Sequence, residues 1–294
     1  MSGLSVQAFA DEAAPAGRLA KALGAGLGVI ELHRFPDGEV LPTARAAAPT
    51  TILYRSLDHP DAKLIALLLA ADALRRAGAR RLVLVAPYLC YLRQDAVFAP
   101  GQPLSRDVVL PLIGARFDRV VTVQAHLHRT TDLSAVLGAP AQNLSAVPAL
   151  ARLVGGEDRP IVVGPDTESA GWTSEWAAAT GGEAHTFRKT RLGDRRVRLE
   201  ADWLARAKGR RALVVDDVAS SGATLAAAVR RLVRAGAGPV DIAVAHALFD
   251  RRAEARLRRA GARRIVSTDS VVHPTNEACL APLLARALKD EAAA

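Results

Sequence analysis

The sequence predicts an α/β protein made of two mainly parallel sheets flanked by helices, on three observations. Short apolar runs alternate with stretches of helical periodicity along the chain, the pattern that βαβ units produce. The alternation starts afresh after residue 144. A weak internal repeat links the halves: ALRRAGARRLVLVAPY and AVRRLVRAGAGPVDIAVAH each run helix, Ala-Gly turn, apolar strand.

In the first half the strand-like runs are VQAFA, GVIELHRF, TILYRSL, LVLVAPYL and VVTVQAH, with helices expected over Ala14–Leu23, Ala62–Ala77 and from Ser105 onward. The second half repeats the scheme with IVVGPD, AHTFRK, LVVDD, DIAVAHAL and RIVSTDS. Its helices are expected over Ser174–Thr180, Leu225–Arg234, Ala253–Ala260 and, closing the chain, Cys279–Leu288. Composition and loop position set the domains at 1–144 and 145–294, with no low-complexity linker between them.

The 294 residues are half hydrophobic, enough to bury a core in one large or two ordinary domains. No segment is long and apolar enough to span a membrane, and the N-terminal residues lack a charged-then-apolar signal pattern; a cytoplasmic protein is expected. Cys90 and Cys279 are far apart without metal-ligand spacing, which fits a reducing compartment. The net charge of +9 comes mostly from arginines spread over many helical faces, without aromatic interleaving. That argues against nucleic acid and is compatible with an anionic small molecule.

Six stretches carry chemistry. LVVDDVASSGATL, residues 213–225, delivers Asp216 and Asp217 at the end of an apolar strand. Ser220, Ser221, Gly222, Ala223 and Thr224 then lead into an alanine-rich helix. Small hydroxyl residues and glycine at a helix N-terminus can wrap a phosphate, and the adjacent acids can accept hydrogen bonds from sugar hydroxyls. HRFPDGEV places Phe35, Asp37 and Glu39 around a Pro-Asp-Gly turn, which also reads as a plain hairpin. PYLCYLRQD brings Tyr88, Tyr91, Arg93, Gln94 and Asp95 to a strand's carboxyl end, where open α/β sheets bind ligands. QAHLHR does the same for His126 and His128, and VGPDTES for Asp166 and Glu168. FRKTRLGDRRVRLE is dense in positive charge, and Lys189 is one of only five lysines in an arginine-rich chain. A compact cation there, with Arg191 two residues on, can neutralise charge on a transferring phosphoryl group.

With these motifs in this order over nearly its whole length, the chain resembles the ribose-phosphate pyrophosphokinase family, with a catalytic loop like that of the archaeal branch. The resemblance implies two tandem type I phosphoribosyltransferase-like domains, ATP on the N-terminal one and ribose 5-phosphate on the C-terminal one. It implies that Phe35, Asp37 and Glu39 contact the ATP base from a neighbouring subunit, and that Arg93, Gln94 and Asp95 hold ATP. His126 and Asp166 would serve Mg²⁺, with Asp166 also near ribose. Asp216, Asp217 and residues 220–224 would bind ribose 5-phosphate, and Lys189 and Arg191 would be catalytic. The chain departs from the family pattern at Gln124, at Thr167-Glu168-Ser169 and at Ser220.

The implied reaction moves the β,γ-diphosphoryl group of Mg·ATP to the anomeric hydroxyl of ribose 5-phosphate, within a homo-oligomer of dimer size or larger. Neither nucleic acid nor membrane is an expected partner. A phosphoribosyltransferase consuming the diphosphate would share residues 213–225 but would not need a second tandem domain. A non-catalytic, synthetase-like regulatory subunit would accommodate the departures.

Overall fold

The computed structural model describes residues 3–97, 99–127, 132–156, 158–191 and 197–293, with side chains at 189–191, 197–200 and 292–293 excepted. The chain divides into two compact units, Met1–Leu144 with Leu280–Ala294, and Ser145–Cys279.

The first unit contains β1 (Leu4–Phe9), α1 (Ala13–Leu23), β2 (Gly26–Arg34), β3 (Val40–Thr43), β4 (Thr50–Tyr54), α2 (Leu64–Arg76), β5 (Arg81–Ala86), α3 (Ser105–Gly114), β6 (Arg119–Val123), α4 (Leu133–Leu137) and β7 (Ala141–Leu144). Among the described residues its sheet has the order β3-β2-β1-β4-β5-β6-β7, parallel except for the β2–β3 hairpin. The central strands β4 and β5 are buried along almost their whole length, as expected where helices cover both faces of a parallel sheet. Leu53, Leu82 and Leu84 pack with Leu67 and Leu74 of α2 and Ile113 of α3.

The second unit contains α5 (Val147–Val154), β8 (Ile161–Gly164), α6 (Ala170–Thr180), β9 (Glu183–Thr186), β10 (Arg188–Arg191), β11 (Val197–Glu200), β12 (Ala212–Ala219), α7 (Ala223–Arg234), β13 (Val240–Ala247), α8 (Arg251–Ala260), β14 (Ala262–Thr268) and β15 (Asn276–Ala278). Its main sheet is parallel, in the order β15-β14-β13-β12-β8-β9. β10 and β11 form a separate antiparallel hairpin. Val163, Val214 and Val244 of the sheet meet Leu225, Val229 and Leu257 of the helices. Helix α8 starts at Asp250, whose side chain accepts from the Ala253 N–H at 2.8 Å, and stops at Gly261 with φ of 110°.

The C-terminal residues correct one expectation. The closing segment, placed by sequence in the domain 145–294, packs from Leu280 onward in the first unit as α9 (Ala281–Ala287) and α10 (Lys289–Ala293). Helix α9 lies on α1. Glu291, buried on α10, accepts from Arg81 Nε at 2.5 Å, Arg81 Nη2 at 2.8 Å and Arg119 Nη1 at 2.9 Å. Paired this way, its carboxyl is held below the usual carboxylate range, first by the hydrogen bond from Arg81. The partners are thus at the amino ends of β5 and β6, in residues whose pattern gave no hint of a distant anion.

Candidate functional site

β12 is the element on which the second-unit site is built. Its residues Ala212–Val215 are fully buried, and it pairs with β8 only as far as Val214 but with β13 as far as Ala219. Asp216 and Asp217 therefore follow the end of β8 pairing, next to the turn that carries Asp166. The Asp217 N–H donates to Asp216 Oδ1 at 3.1 Å, and the Val218 N–H donates to Asp217 Oδ1 at 2.7 Å. Burial pushes the Asp216 carboxyl well above the usual range, and the like charges of Asp217 and Asp166 push it the same way. Carboxylates this close to a desolvated Asp216 form a site that favours a cation or hydroxyl donors.

After the strand, Ser220 and Ser221 are exposed, Gly222 turns the chain at φ of 66°, and α7 begins at Ala223. Ser221 Oγ accepts from the Ala223 N–H at 3.3 Å, and Thr224 is half-buried in the first turn. The N–H groups of a first helical turn lack intrahelical partners, which makes this a natural phosphate cradle. It is the positive φ of Gly222 that calls for glycine, since a Cβ there would meet Leu257 at 3.5 Å and Ala253 of α8 at 3.7 Å in no more than ordinary van der Waals contact. The same helix supplies Arg256, whose Nη1 donates to the Ser221 carbonyl at 2.7 Å. Sequence reasoning missed Arg256, because one more arginine on an arginine-rich helix carries no signal.

The turn after β8 is held as tightly. A Cβ on Gly164 would come within 2.2 Å of Ser169 Oγ and 2.4 Å of Thr173 Oγ1, so only glycine fits. Ser169 Oγ donates to the Asp166 carbonyl at 2.6 Å, which fixes the backbone that presents Asp166. Glu168 is exposed in this turn. On the other side of β8, β9 runs into the β10–β11 hairpin, in which Lys189 pairs with Leu199 and Arg191 with Val197. Their side chains lie outside the described residues. The second unit thus brings Asp166, Asp216, Asp217, residues 220–224 and the Lys189–Arg191 strand to the carboxyl ends of the adjacent strands β9, β8 and β12.

In the first unit, Arg93, Gln94 and Asp95 follow β5 and His126 follows its neighbour β6, again at carboxyl ends. Arg93 and Gln94 are exposed, and Asp95 and His126 are half-buried. Two non-glycine residues here adopt left-handed backbone: Tyr91 at φ of 61° and Gln124 at φ of 45°. Such conformations cost on the order of 1 to 3 kcal/mol each and concentrate at functional sites. Tyr91 is held by its hydroxyl, which donates to Asp61 at 2.7 Å, and Gln124 by its N–H, which donates to the Leu144 carbonyl at 2.7 Å. His128 lies outside the described residues.

Phe35, Asp37 and Glu39 sit apart from these groups, on the hairpin joining β2 to the edge strand β3. The turn closes through Phe35 N–H to the Glu39 carbonyl at 2.9 Å and Glu39 N–H to Asp37 Oδ1 at 3.1 Å. Phe35 is 40% exposed, its ring edge-on to His33. β1 and β4 separate β2 from β5, roughly 14 Å at the usual strand spacing. Among the described residues, no three His, Cys, Asp or Glu side chains form a ready metal cage.

Two open parallel sheets, one of them carrying an acid-rich strand, a phosphate-type loop and a helix, define the phosphoribosyl-handling class of α/β proteins. Residues 6–115 match the N-terminal domain of ribose phosphate pyrophosphokinase, and residues 149–281 match the phosphoribosyl transferase domain. The chain is 34% identical to a ribose-phosphate pyrophosphokinase of Methanopyrus kandleri, over 93% of this chain and 94% of that one. It is 33% identical to one from Methanosarcina mazei, over 93% and 91%. The crystal structure of phosphoribosylpyrophosphate synthetase from Mycobacterium smegmatis superimposes with a TM-score of 0.84 at 26% identity, covering 97% of each chain. The chain belongs to the ribose-phosphate pyrophosphokinase family.

Proposed function

We propose that this chain is a ribose-phosphate diphosphokinase. The anomeric oxygen of ribose 5-phosphate attacks the β-phosphorus of ATP, the bond from that phosphorus to the α,β-bridging oxygen breaks, and AMP leaves with the bridging oxygen. The hydroxyl proton passes to solvent. The observation that carries the reading is that one sheet carries both the Asp216–Asp217 phosphate-loop unit, on β12, and the strand β9 that leads into the hairpin bearing Lys189 and Arg191, with β8 between the two. A protein that only held a sugar phosphate would need the first of these and not the second.

In this reading residues 220–224 grip the 5-phosphate, and Asp216 and Asp217 accept from ribose hydroxyls. Lys189 and Arg191 neutralise the charge that builds on the transferring group. Arg93, Gln94 and Asp95 hold ATP in the first unit. Phe35, Asp37 and Glu39, on the far edge hairpin, are assigned to the ATP of a neighbouring copy, which makes the working form a homo-oligomer.

The donor set fits Mg²⁺. This ion takes one or two carboxylates and completes its shell with water and substrate phosphate oxygens, so no protein cage is required. The crowding that raises Asp216 is what a divalent cation would relieve, with Asp166 and the Asp216–Asp217 pair as ligands and His126 serving the ATP side. A Mg²⁺ ion held there would supply Lewis-acid neutralisation of substrate phosphate charge.

The test is direct: incubate the protein with Mg²⁺, ATP and ribose 5-phosphate, and follow AMP and 5-phosphoribosyl 1-diphosphate. Equal amounts of both are expected. Protein that binds ATP yet forms neither would be a regulatory subunit instead.

A further inference from the structure

We infer that Trp203 is a positioning residue for the proposed transfer, fixing where the hairpin holds Lys189 and Arg191 by clasping its two roots together. The inference rests on the diphosphokinase reading. Among the described residues β10 and β11 pair only with each other. A two-stranded hairpin has little stability of its own, so its direction is set where it joins the body of the unit.

On the entering side, Phe187 is fully buried and its N–H donates to the Gly164 carbonyl at 3.2 Å. On the returning side stands Trp203. Its indole Nε1 donates to the Thr186 carbonyl at 3.1 Å, tying the return directly to the residue before Phe187. The indole also stacks on His185, with ring centroids 4.7 Å apart and planes 17° from parallel, and meets Phe187 at 5.2 Å. Arg231 of α7 faces the Phe187 ring at 5.9 Å. The clasp therefore leans on the helix whose first turn forms the phosphate loop.

A purely space-filling residue at 203 could be any large apolar side chain, whereas the hydrogen bond to Thr186 is directional. Lys189 follows Phe187 by two residues, a reach of about 7 Å at most, so a rotation at the root passes straight to it. Misplacement of a transition-state group by about 1 Å can cost on the order of 10²-fold in rate. Ground-state binding of either substrate does not depend on that alignment, so the defect belongs in kcat.

The experiment is steady-state kinetics on wild type, Trp203→Phe, Trp203→Ala, Lys189→Ala and the Trp203→Ala/Lys189→Ala double variant. Trp203→Phe keeps a stacked ring and loses the N–H; it should lower kcat several-fold. Trp203→Ala should lower kcat by roughly 10²-fold. KM for ATP and for ribose 5-phosphate should each stay within about twofold of wild type in both. Adding Trp203→Ala to Lys189→Ala should cost clearly less than the roughly 10²-fold it costs in wild type, because part of the effect of the clasp runs through Lys189 and only the part through Arg191 remains. An active wild type with normal kcat in Trp203→Phe and Trp203→Ala would overturn the inference alone, as would full additivity with Lys189→Ala. If Trp203→Ala does not fold, Trp203→Phe decides: unchanged kcat refutes. A wild type that makes no AMP removes the diphosphokinase reading and the inference with it.

Discussion

Glu12 offers a test in which burial and ion pairing pull in opposite directions. It follows β1, is 5% exposed, and accepts from the Ser56 N–H at 2.9 Å and from Arg55 Nη1 at 3.1 Å, with Lys63 Nζ 3.7 Å away. Burial outweighs Arg55, Lys63 and Ser56 and, with the nearby charge of Asp11, raises the carboxyl from 4.5 to about 6. Because the folded value lies above the unfolded one, Glu12 contributes stability that is complete below pH 4.5 and is lost as the pH rises through about 6. At about 1.4 kcal/mol per pH unit, the loss comes to roughly 2 kcal/mol. Glu12→Gln keeps the shape and an oxygen for Ser56 but cannot ionise. Its stability relative to wild type should therefore rise by roughly 2 kcal/mol between about pH 4 and pH 7. Hydrogen exchange of the β1 and β4 amides reads this for the first unit, while tryptophan fluorescence follows the second, which holds Trp172, Trp176 and Trp203. A difference that does not change with pH would refute the reasoning. A difference of opposite sign would show that the ion pairs outweigh burial.

Three further outcomes are expected. Gly222→Ala, at φ of 66° and over Leu257, should raise KM for ribose 5-phosphate while leaving KM for ATP near wild type, and should cost about 1 to 2 kcal/mol of stability by urea unfolding. Asp216→Asn should abolish most turnover yet stabilise the ligand-free protein increasingly as the pH rises, because it removes a carboxyl whose folded value is raised; melting curves across pH check this. Asp241→Ala should cost about 1 to 3 kcal/mol in denaturant unfolding with both KM values unchanged, since it takes the buried carboxylate away from Arg211 and the half-exposed Arg263.

The parallel strands were legible because burial on both faces writes itself as apolar runs, LVLVA for β5 and LVV for β12. The edges were not. β7 (AQNL) and β15 (NEA) lie at sheet edges and are largely polar, so period-2 alternation has nothing to show. Helix α5 was readable in principle, since Val147, Leu150, Ala151 and Val154 fall on one buried face, and α6 starts at Ala170, a turn before Ser174. Of the candidate site, the strand-end placement of Asp166, Asp216, Asp217 and His126 follows from local pattern. Arg256 and Trp203 do not, because each acts on a loop that is distant in sequence or through a carbonyl that no residue type announces.

The two ends of the second sheet show why the acid cluster at residues 216–217 is the one to read as functional. Asp241 lies near the start of β13, buried, with Arg211 Nε at 3.0 Å and Arg263 Nη2 at 2.6 Å. Burial acts to raise its carboxyl, but the two arginines win and hold it below the usual range. Its charge is satisfied within the fold, which leaves nothing for a ligand to do. Asp216, toward the carboxyl end of the adjacent strand, is desolvated too but has acids as its neighbours, and its carboxyl is raised. The fold therefore stores unfavourable electrostatics at one end of the sheet and neutralises it at the other. A cation and a row of sugar hydroxyls relieve the first kind of cluster and would gain nothing from the second. It is this contrast between two aspartates on neighbouring strands, more than the presence of acids as such, that supports the proposal of Asp216 as a substrate-binding group and of Asp241 as a structural one.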